Sequence, residues 1–257
     1  MRYFVIFLGN PRSGTTLVRS LLNAHPDVCI SVEVDVFKRL RDGASWQSIL
    51  NEIVYNTVNF AINPVWTDYR YDIQQVGLRS HTPLILGDKK ASKSSQALAL
   101  NWALADRLAD LCYPAGLKVI QCVRNPLDTI ATRKRRSGLS LEECIGNYFE
   151  REATAAAQVR RSPMTDATRV YLETLIRFPE DTLKSLLAFL GIDEPPGYIN
   201  ACCGLIYDQP AKTRDQVVWT RENLSEVLRR TKDLPHLAPY QEDCELFAEV
   251  VLHNRRQ

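Results

Sequence analysis

Residues 9 to 16 read Gly-Asn-Pro-Arg-Ser-Gly-Thr-Thr, directly after the apolar run Tyr3 to Leu8 and directly before a helical pattern that opens Leu-Val-Arg-Ser. Strand, tight loop and helix start together make a frame for phosphate binding, because successive backbone N–H groups and a helix N-terminus converge on an anion. A nucleoside-triphosphatase loop, G-x-x-x-x-G-K-[ST], would align Gly9, Gly14 and Thr16 and put its phosphate-gripping lysine at position 15, where this chain has Thr15. What remains is a set of backbone amides, the hydroxyls of Ser13, Thr15 and Thr16, and the Arg12 guanidinium. That chemistry holds a terminal phosphate but lacks the machinery for a Mg-bound γ-phosphate. A second cluster begins at Arg124 in Val-Arg-Asn-Pro-Leu-Asp-Thr-Ile-Ala-Thr. Pro126 suits a first helical turn, which places Thr132 about two turns beyond Arg124. One guanidinium and one hydroxyl can then meet a second phosphate; the plainer alternative is an arginine that caps a helix or pairs with Asp128.

Short apolar runs bounded by turns predict strands near Tyr3 to Leu8, Val28 to Val32, Leu84 to Gly87, Lys118 to Val123 and Arg169 to Leu172. Apolar residues at helical spacing predict helices at 13–23, 95–111, 126–137, 141–161, 180–190, 221–230 and 241–252. The alternation predicts an α/β fold of three layers, with a mostly parallel central sheet flanked by helices. Ligands of such sheets sit at the carboxyl ends of the strands, where the loop at Gly9 and the segment after Val123 both lie. A single domain over residues 1–257 is expected, with a helical insertion at about 41–80. A C-terminal helical or lid segment at about 198–257 follows the Pro-rich stretch Asp193 to Gly197.

The composition excludes some functions. Among 257 residues, 32 basic side chains stand against 30 acidic ones, and the net charge of +2 gives no global drive toward nucleic acid or membrane. The run Arg133 to Arg136 reads as a solvated helix face that raises the potential around a nearby anion. Seven cysteines without zinc-like spacing point to a reducing compartment rather than a disulfide framework. The first strand at residue 3 leaves no room for a signal peptide, and no apolar run approaches the roughly 18 to 20 residues of a membrane span. A cytoplasmic protein is the expectation.

These pieces resemble the sulfotransferases that use 3′-phosphoadenosine-5′-phosphosulfate (PAPS), in their bacterial, carbohydrate and tyrosyl-protein branches. Gly-Asn-Pro-Arg-Ser-Gly-Thr-Thr-Leu is similar to that family's 5′-phosphosulfate loop, and the Arg124 to Thr132 stretch to its 3′-phosphate motif. Leu86-Gly-Asp-Lys-Lys resembles a third element that contributes a lysine near the transferred group, and Tyr171-Leu-Glu-Thr-Leu-Ile with Leu187-Leu-Ala-Phe-Leu-Gly-Ile a later structural signature. The four elements stand in the family's order. The resemblance implies a P-loop-like fold and in-line sulfuryl transfer from PAPS to a hydroxyl or amine, leaving adenosine 3′,5′-bisphosphate (PAP), with no metal.

On that resemblance, Arg12, Ser13, Gly14, Thr15 and Thr16 would hold the 5′-phosphosulfate, Arg124 and Thr132 the 3′-phosphate, and Lys89, rather than Lys90, would face the transferred group. An attacking acceptor must lose a proton, so a general base is required. Glu33, after the second strand, is the first candidate and His81 the alternative; a solvated loop residue or a partner for Arg12 is the bland reading of Glu33. Leu17 stands where many cytosolic members have a tryptophan. Lys212, Arg214 and Trp219 could replace the family's basic loop over the 3′-phosphate, although Trp219 could equally anchor the core. The acceptor, whether small molecule, carbohydrate, lipid or peptide, would meet the aromatic-rich segment Arg41 to Arg79 or the segment Cys202 to Trp219. Two rival classes stay open: a P-loop small-molecule kinase, and a non-catalytic nucleotide-binding protein of the same fold.

Overall fold

The computed structural model describes residues 1–66, 69–71, 73, 82–161 and 165–254. In chain order its strands are β1 (Tyr3–Gly9), β2 (Val28–Val32), β3 (Val65–Trp66), β4 (Tyr69–Arg70), β5 (Ile85–Lys89), β6 (Gly116–Val123) and β7 (Thr165–Tyr171). Its helices are α1 (Thr15–Asn23), α2 (Val36–Arg41), α3 (Trp46–Ile62), α4 (Ala91–Leu100), α5 (Ala103–Cys112), α6 (Pro126–Arg136), α7 (Leu141–Arg161), α8 (Leu172–Arg177), α9 (Pro179–Leu190), α10 (Tyr198–Cys203), α11 (Arg221–Lys232) and α12 (Gln241–Asn254).

Five strands form one parallel sheet in the order β2-β5-β1-β6-β7. Strands buried on both faces read as unbroken apolar runs, and β1, buried from Phe4 to Gly9, is the central one. Side chains alternate across it. Val5 and Phe7 pack with α1 and α9 through Val18, Leu21, Leu186 and Leu190, while Phe4, Ile6 and Leu8 face Ile49, Ile53 and Leu108 of α3 and α5. A third apolar cluster joins α6, α7, α11 and α12 around Trp219. The carboxyl ends of β1, β2, β5 and β6 therefore open on the same side.

All five expected strands are present, with β5 running on to Lys89 and β6 starting at Gly116, and two elements differ more. β7 starts at Thr165, because pairing with β6 from Leu117↔Thr165 to Val123↔Tyr171 extends it through polar residues, and Leu172 opens α8 instead of closing the strand. The single helix expected over 95–111 is two, α4 and α5. Asn101 breaks it: its backbone is extended, and its side chain accepts the Ala103 N–H at 3.1 Å, an Asx turn that starts the second helix. Among the described residues, no helix is long and apolar enough to cross a membrane.

Candidate functional site

The loop after β1 carries its conformation in three left-handed residues, Gly9 (φ 128°), Arg12 (φ 71°) and Gly14 (φ 84°). Gly9 has no alternative: a Cβ there would lie 2.4 Å from the Cys122 carbonyl oxygen of β6. Arg12 lacks that freedom, so neighbouring bonds must hold its strained backbone. Ser13 Oγ donates to the Asn10 carbonyl (2.7 Å), Asn10 Nδ2 to the Tyr148 carbonyl (3.1 Å), and the Gly9 N–H to Ser95 Oγ of α4 (3.2 Å). The Ser13 hydroxyl is thus committed to shaping the loop. Helix α1 starts at Thr15 with Gly14 as its N-cap and no side-chain cap, which leaves its leading amides and the buried Thr15 and Thr16 facing the loop.

Arg124 leaves the end of β6 and turns back onto this loop. Its Nη1 donates to the Arg12 carbonyl (3.1 Å) and its Nη2 to the Ala211 carbonyl (2.5 Å), while its buried Nε has no hydrogen-bond partner. The Tyr148 hydroxyl fixes the Arg124 carbonyl at 3.2 Å, and Asn125 caps α6 by accepting the Leu127 N–H. Thr132 lies on α6, its hydroxyl 2.9 Å from that of Thr213, and both hydroxyls donate to the Asp128 carbonyl at 2.7 Å. The two segments expected to hold phosphates are therefore adjacent, linked through the Arg12 carbonyl. Thr213 was not among the expected residues. The segment around it was singled out through its basic and aromatic neighbours Lys212, Arg214 and Trp219, but the hydroxyl between them was not, because its contact with α6 exists only in the fold.

The other C-terminal candidates fall elsewhere. Arg214 is 6% exposed and spends its guanidinium on Asp128 and Asp243, so it bolts the segment to α6 and does not present a free charge to the 3′ pocket. Trp219 is 1% exposed, packs in the third cluster and donates its indole N–H to the Arg214 carbonyl at 2.8 Å. It is a core anchor. Lys212 is exposed on the loop beside Ala211.

At the ends of β2 and β5 two of the catalytic candidates, Glu33 and Lys89, meet. Lys89 Nζ lies 3.1 Å from Glu33 Oε1, and Lys90 Nζ bonds Glu33 Oε2. Burial alone would raise the Glu33 carboxyl, but the charges and hydrogen bonds of Lys89 and Lys90 together outweigh it and hold the pKa below the ordinary glutamate value. Lys89, 2% exposed, is pulled the other way: burial depresses its ammonium more than Glu33 supports it. In the pair Glu33 is ionised, since a carboxylate bridging two lysines is the charge state its geometry serves. The bland alternatives, a solvated loop residue or an Arg12 partner, give way to this pairing.

Glu33 (φ 61°) and Asp35 (φ 64°) are both left-handed, and a buried carboxylate holds the turn that carries them. Asp88, 1% exposed, accepts the N–H groups of Val34 (3.0 Å), Asp35 (2.9 Å) and Val36 (3.2 Å) and the Ser31 hydroxyl (2.7 Å). Burial pushes its carboxyl upward, against four hydrogen bonds that favour the ionised form. The sequence drew attention to Lys89 and passed over the aspartate before it.

Of the aromatic residues in the 41–79 segment, Trp46 packs on Phe4 in the core at 5.1 Å between ring centroids, and Trp66 covers Lys89 at 5.2 Å. Tyr71 hydrogen-bonds Thr16, with its hydroxyl pushed up to about 12, chiefly by burial. It also lines a cleft of about 390 Å³ with Arg19, Asn23, Thr57, Phe60 and Ile73. His81, the alternative base, lies outside the described residues.

The sequence pattern of the Sulfotransferase family matches residues 5–196. A protein-tyrosine sulfotransferase of Drosophila melanogaster is 24% identical over 241 aligned residues, covering 83% of this chain and 44% of that protein. The chain thus spans less than half the length of that curated relative. Solved structures share the fold, two of them over nearly their whole length. The sulfotransferase domain of the curacin biosynthetic pathway has a TM-score of 0.55 at 13% identity, over 91% of this chain and 98% of that one. A mouse sulfotransferase solved in complex with PAP has a TM-score of 0.50 at 14% identity, over 93% of this chain and 89% of that one.

Proposed function

Because the chain belongs to the sulfotransferase family, we propose that it transfers a sulfuryl group from PAPS to a hydroxyl or amine acceptor. The observation that carries this reading is Arg124, which ties the Arg12 carbonyl of the 5′ loop to the Ala211 carbonyl of the C-terminal segment and keeps a buried Nε without a partner. A buried guanidinium nitrogen left unsatisfied is costly, and a phosphate oxygen would satisfy it. PAP in the mouse neighbour supports the same nucleotide class for this chain.

PAPS supplies the sulfuryl group and its leaving phosphate. The leading amides of α1, with Arg12, Thr15 and Thr16, hold the 5′ end; Arg124, Thr132 and Thr213 hold the 3′-phosphate; exposed Lys212 adds positive potential at the rim. Glu33 takes the proton of the attacking acceptor. The ion pair couples the two ends of the reaction: a Lys89 that turns toward the charge growing on the leaving oxygen leaves Glu33 held by Lys90 alone, and a carboxylate with one ammonium fewer is the stronger base. The acceptor enters past Trp66 and Tyr71, whose rings suit a flat or aromatic group, and the Drosophila relative adds a tyrosyl peptide to the candidates. All seven cysteines are free thiols, which supports a reducing, cytoplasmic setting.

The test is transfer of sulfur-35 from PAPS across acceptors that include tyrosyl peptides, phenols and sugars, by the wild type and Glu33→Gln. Loss of a general base lowers kcat about 10²- to 10⁴-fold, while PAP affinity stays within about twofold because no phosphate contact is removed. The carboxylate is the active form, so kcat/KM for PAPS is retained above the Glu33 pKa and falls on the acid side below the ordinary value of 4.5. Full turnover by the Gln variant places the base elsewhere.

A further inference from the structure

Beneath the 5′ loop lies a carboxylate that none of the chemistry above uses. Glu152 of α7 is 0% exposed. Its Oε1 accepts Asn10 Nδ2 at 2.8 Å, and its Oε2 accepts Gln121 Nε2 and faces His236 Nε2, each at 2.9 Å. Arg169 Nε donates to Gln121 Oε1 (2.8 Å), which forces the amide nitrogen of Gln121 toward Glu152. His236 belongs to the 3₁₀ turn Pro235–Tyr240, beyond residue 196 where the family match ends, and its carbonyl accepts the Tyr171 hydroxyl at 2.9 Å.

A fully buried carboxylate persists only when its lone pairs are satisfied. Here the satisfying groups come from the loop, from the strand that carries Arg124, and from the C-terminal segment. Asn10 passes the constraint on: both hydrogens of its amide are spent, on Glu152 and on the Tyr148 carbonyl, and its own carbonyl receives Ser13 Oγ. That chain of bonds ends at Ser13, between Arg12 and Gly14, whose left-handed backbones aim the loop amides.

We propose that Glu152 and His236 are positioning residues: together they lock Asn10 and so hold the 5′-phosphate loop in its binding geometry from outside the matched region. The proposal rests on the reading of that loop as the 5′ pocket, and it assigns the C-terminal segment a part in 5′ binding separate from the Thr213 contact at the 3′ corner.

Calorimetric titration of adenosine 5′-monophosphate and adenosine 3′-monophosphate into the wild type, Glu152→Gln, His236→Leu and His236→Gln tests it. An amide at 152 must turn an N–H toward one of three donors, and leucine at 236 removes one donor; glutamine at 236 keeps a donor where Nε2 stood. Glu152→Gln and His236→Leu are expected to weaken the 5′-monophosphate at least fivefold and the 3′-monophosphate by less than twofold, with His236→Gln restoring wild-type affinity. Equal losses for both nucleotides, no loss for either, or failure of His236→Gln to restore binding would overturn the assignment. Should Glu152→Gln not fold, the two His236 variants decide alone. If the wild type binds neither nucleotide, the proposed function fails, and hydrogen exchange still judges the positioning claim. Amides of residues 9–16 must then exchange at least tenfold faster in His236→Leu while α9 is unchanged, and an unaltered loop contradicts it.

Discussion

The Gly9–Thr16 loop and the segment from Ala211 to Trp219 both bring cations and hydroxyls to one corner of the molecule, but they use them differently. In the loop the groups proposed to meet the anion are chiefly backbone amides, and the side chains of Asn10 and Ser13 maintain the backbone. In the C-terminal segment the backbone is ordinary and the strongest cation, Arg214, is consumed by Asp128 and Asp243. Thr213 already donates its hydroxyl to the Asp128 carbonyl at 2.7 Å and would have to turn it to meet a ligand, which leaves the exposed rim lysine Lys212. A guanidinium in a nucleotide-binding corner is therefore not a nucleotide ligand by proximity; what decides is whether a carboxylate has already taken it.

The contrast is broken or sharpened by three substitutions. Arg214→Ala should act on stability: it leaves Asp128, 3% exposed, without its ion partner, a loss of about 3–5 kcal/mol that lowers Tm by on the order of 10 °C in a chain of this size. A variant with unchanged Tm and a large loss of PAP affinity would make Arg214 a ligand after all. Arg124→Ala should do the reverse. Removing a charge-assisted phosphate contact costs about 1.5–3 kcal/mol, read by calorimetry as roughly 10- to 150-fold weaker PAP. Affinity for 5′-AMP, which lacks the 3′-phosphate, should fall by less, through the lost bond to the Arg12 carbonyl alone. Thr213→Val is the smallest, a single hydroxyl worth about 0.5–1.5 kcal/mol, and should weaken PAP but not 5′-AMP. Equal effects on both nucleotides would place Thr213 outside the 3′ corner.

How much of this was legible in the sequence follows from how local each feature is. The strands β1, β2, β5 and β6 announce themselves as apolar runs buried on both faces, and the two phosphate motifs depend on spacing within one loop or one helix. Glu33 and Lys89 were readable singly, from their places after strands, but their 3.1 Å pairing depends on β2 lying beside β5. Asp88 was hidden because its three N–H partners lie over 50 residues earlier in the chain. Trp219 offered an aromatic next to basic residues, a pattern that fits a lid or a core equally; the cluster formed by α7, α11 and α12 resolved it toward the core. α3 lies inside the expected insertion, whereas the short helices α2, α8 and α10 carry too few turns for a periodic signal to stand out.

The central claim, two adjacent anion pockets that clasp one doubly phosphorylated adenosine, is tested most directly by thermal shift with PAP, 5′-AMP and Mg-ATP at equal concentration. The account predicts a Tm increase with PAP well above that with either other nucleotide, since only PAP fills both pockets and ligand binding to the folded state alone raises stability. A shift with 5′-AMP or Mg-ATP as large as that with PAP would contradict it.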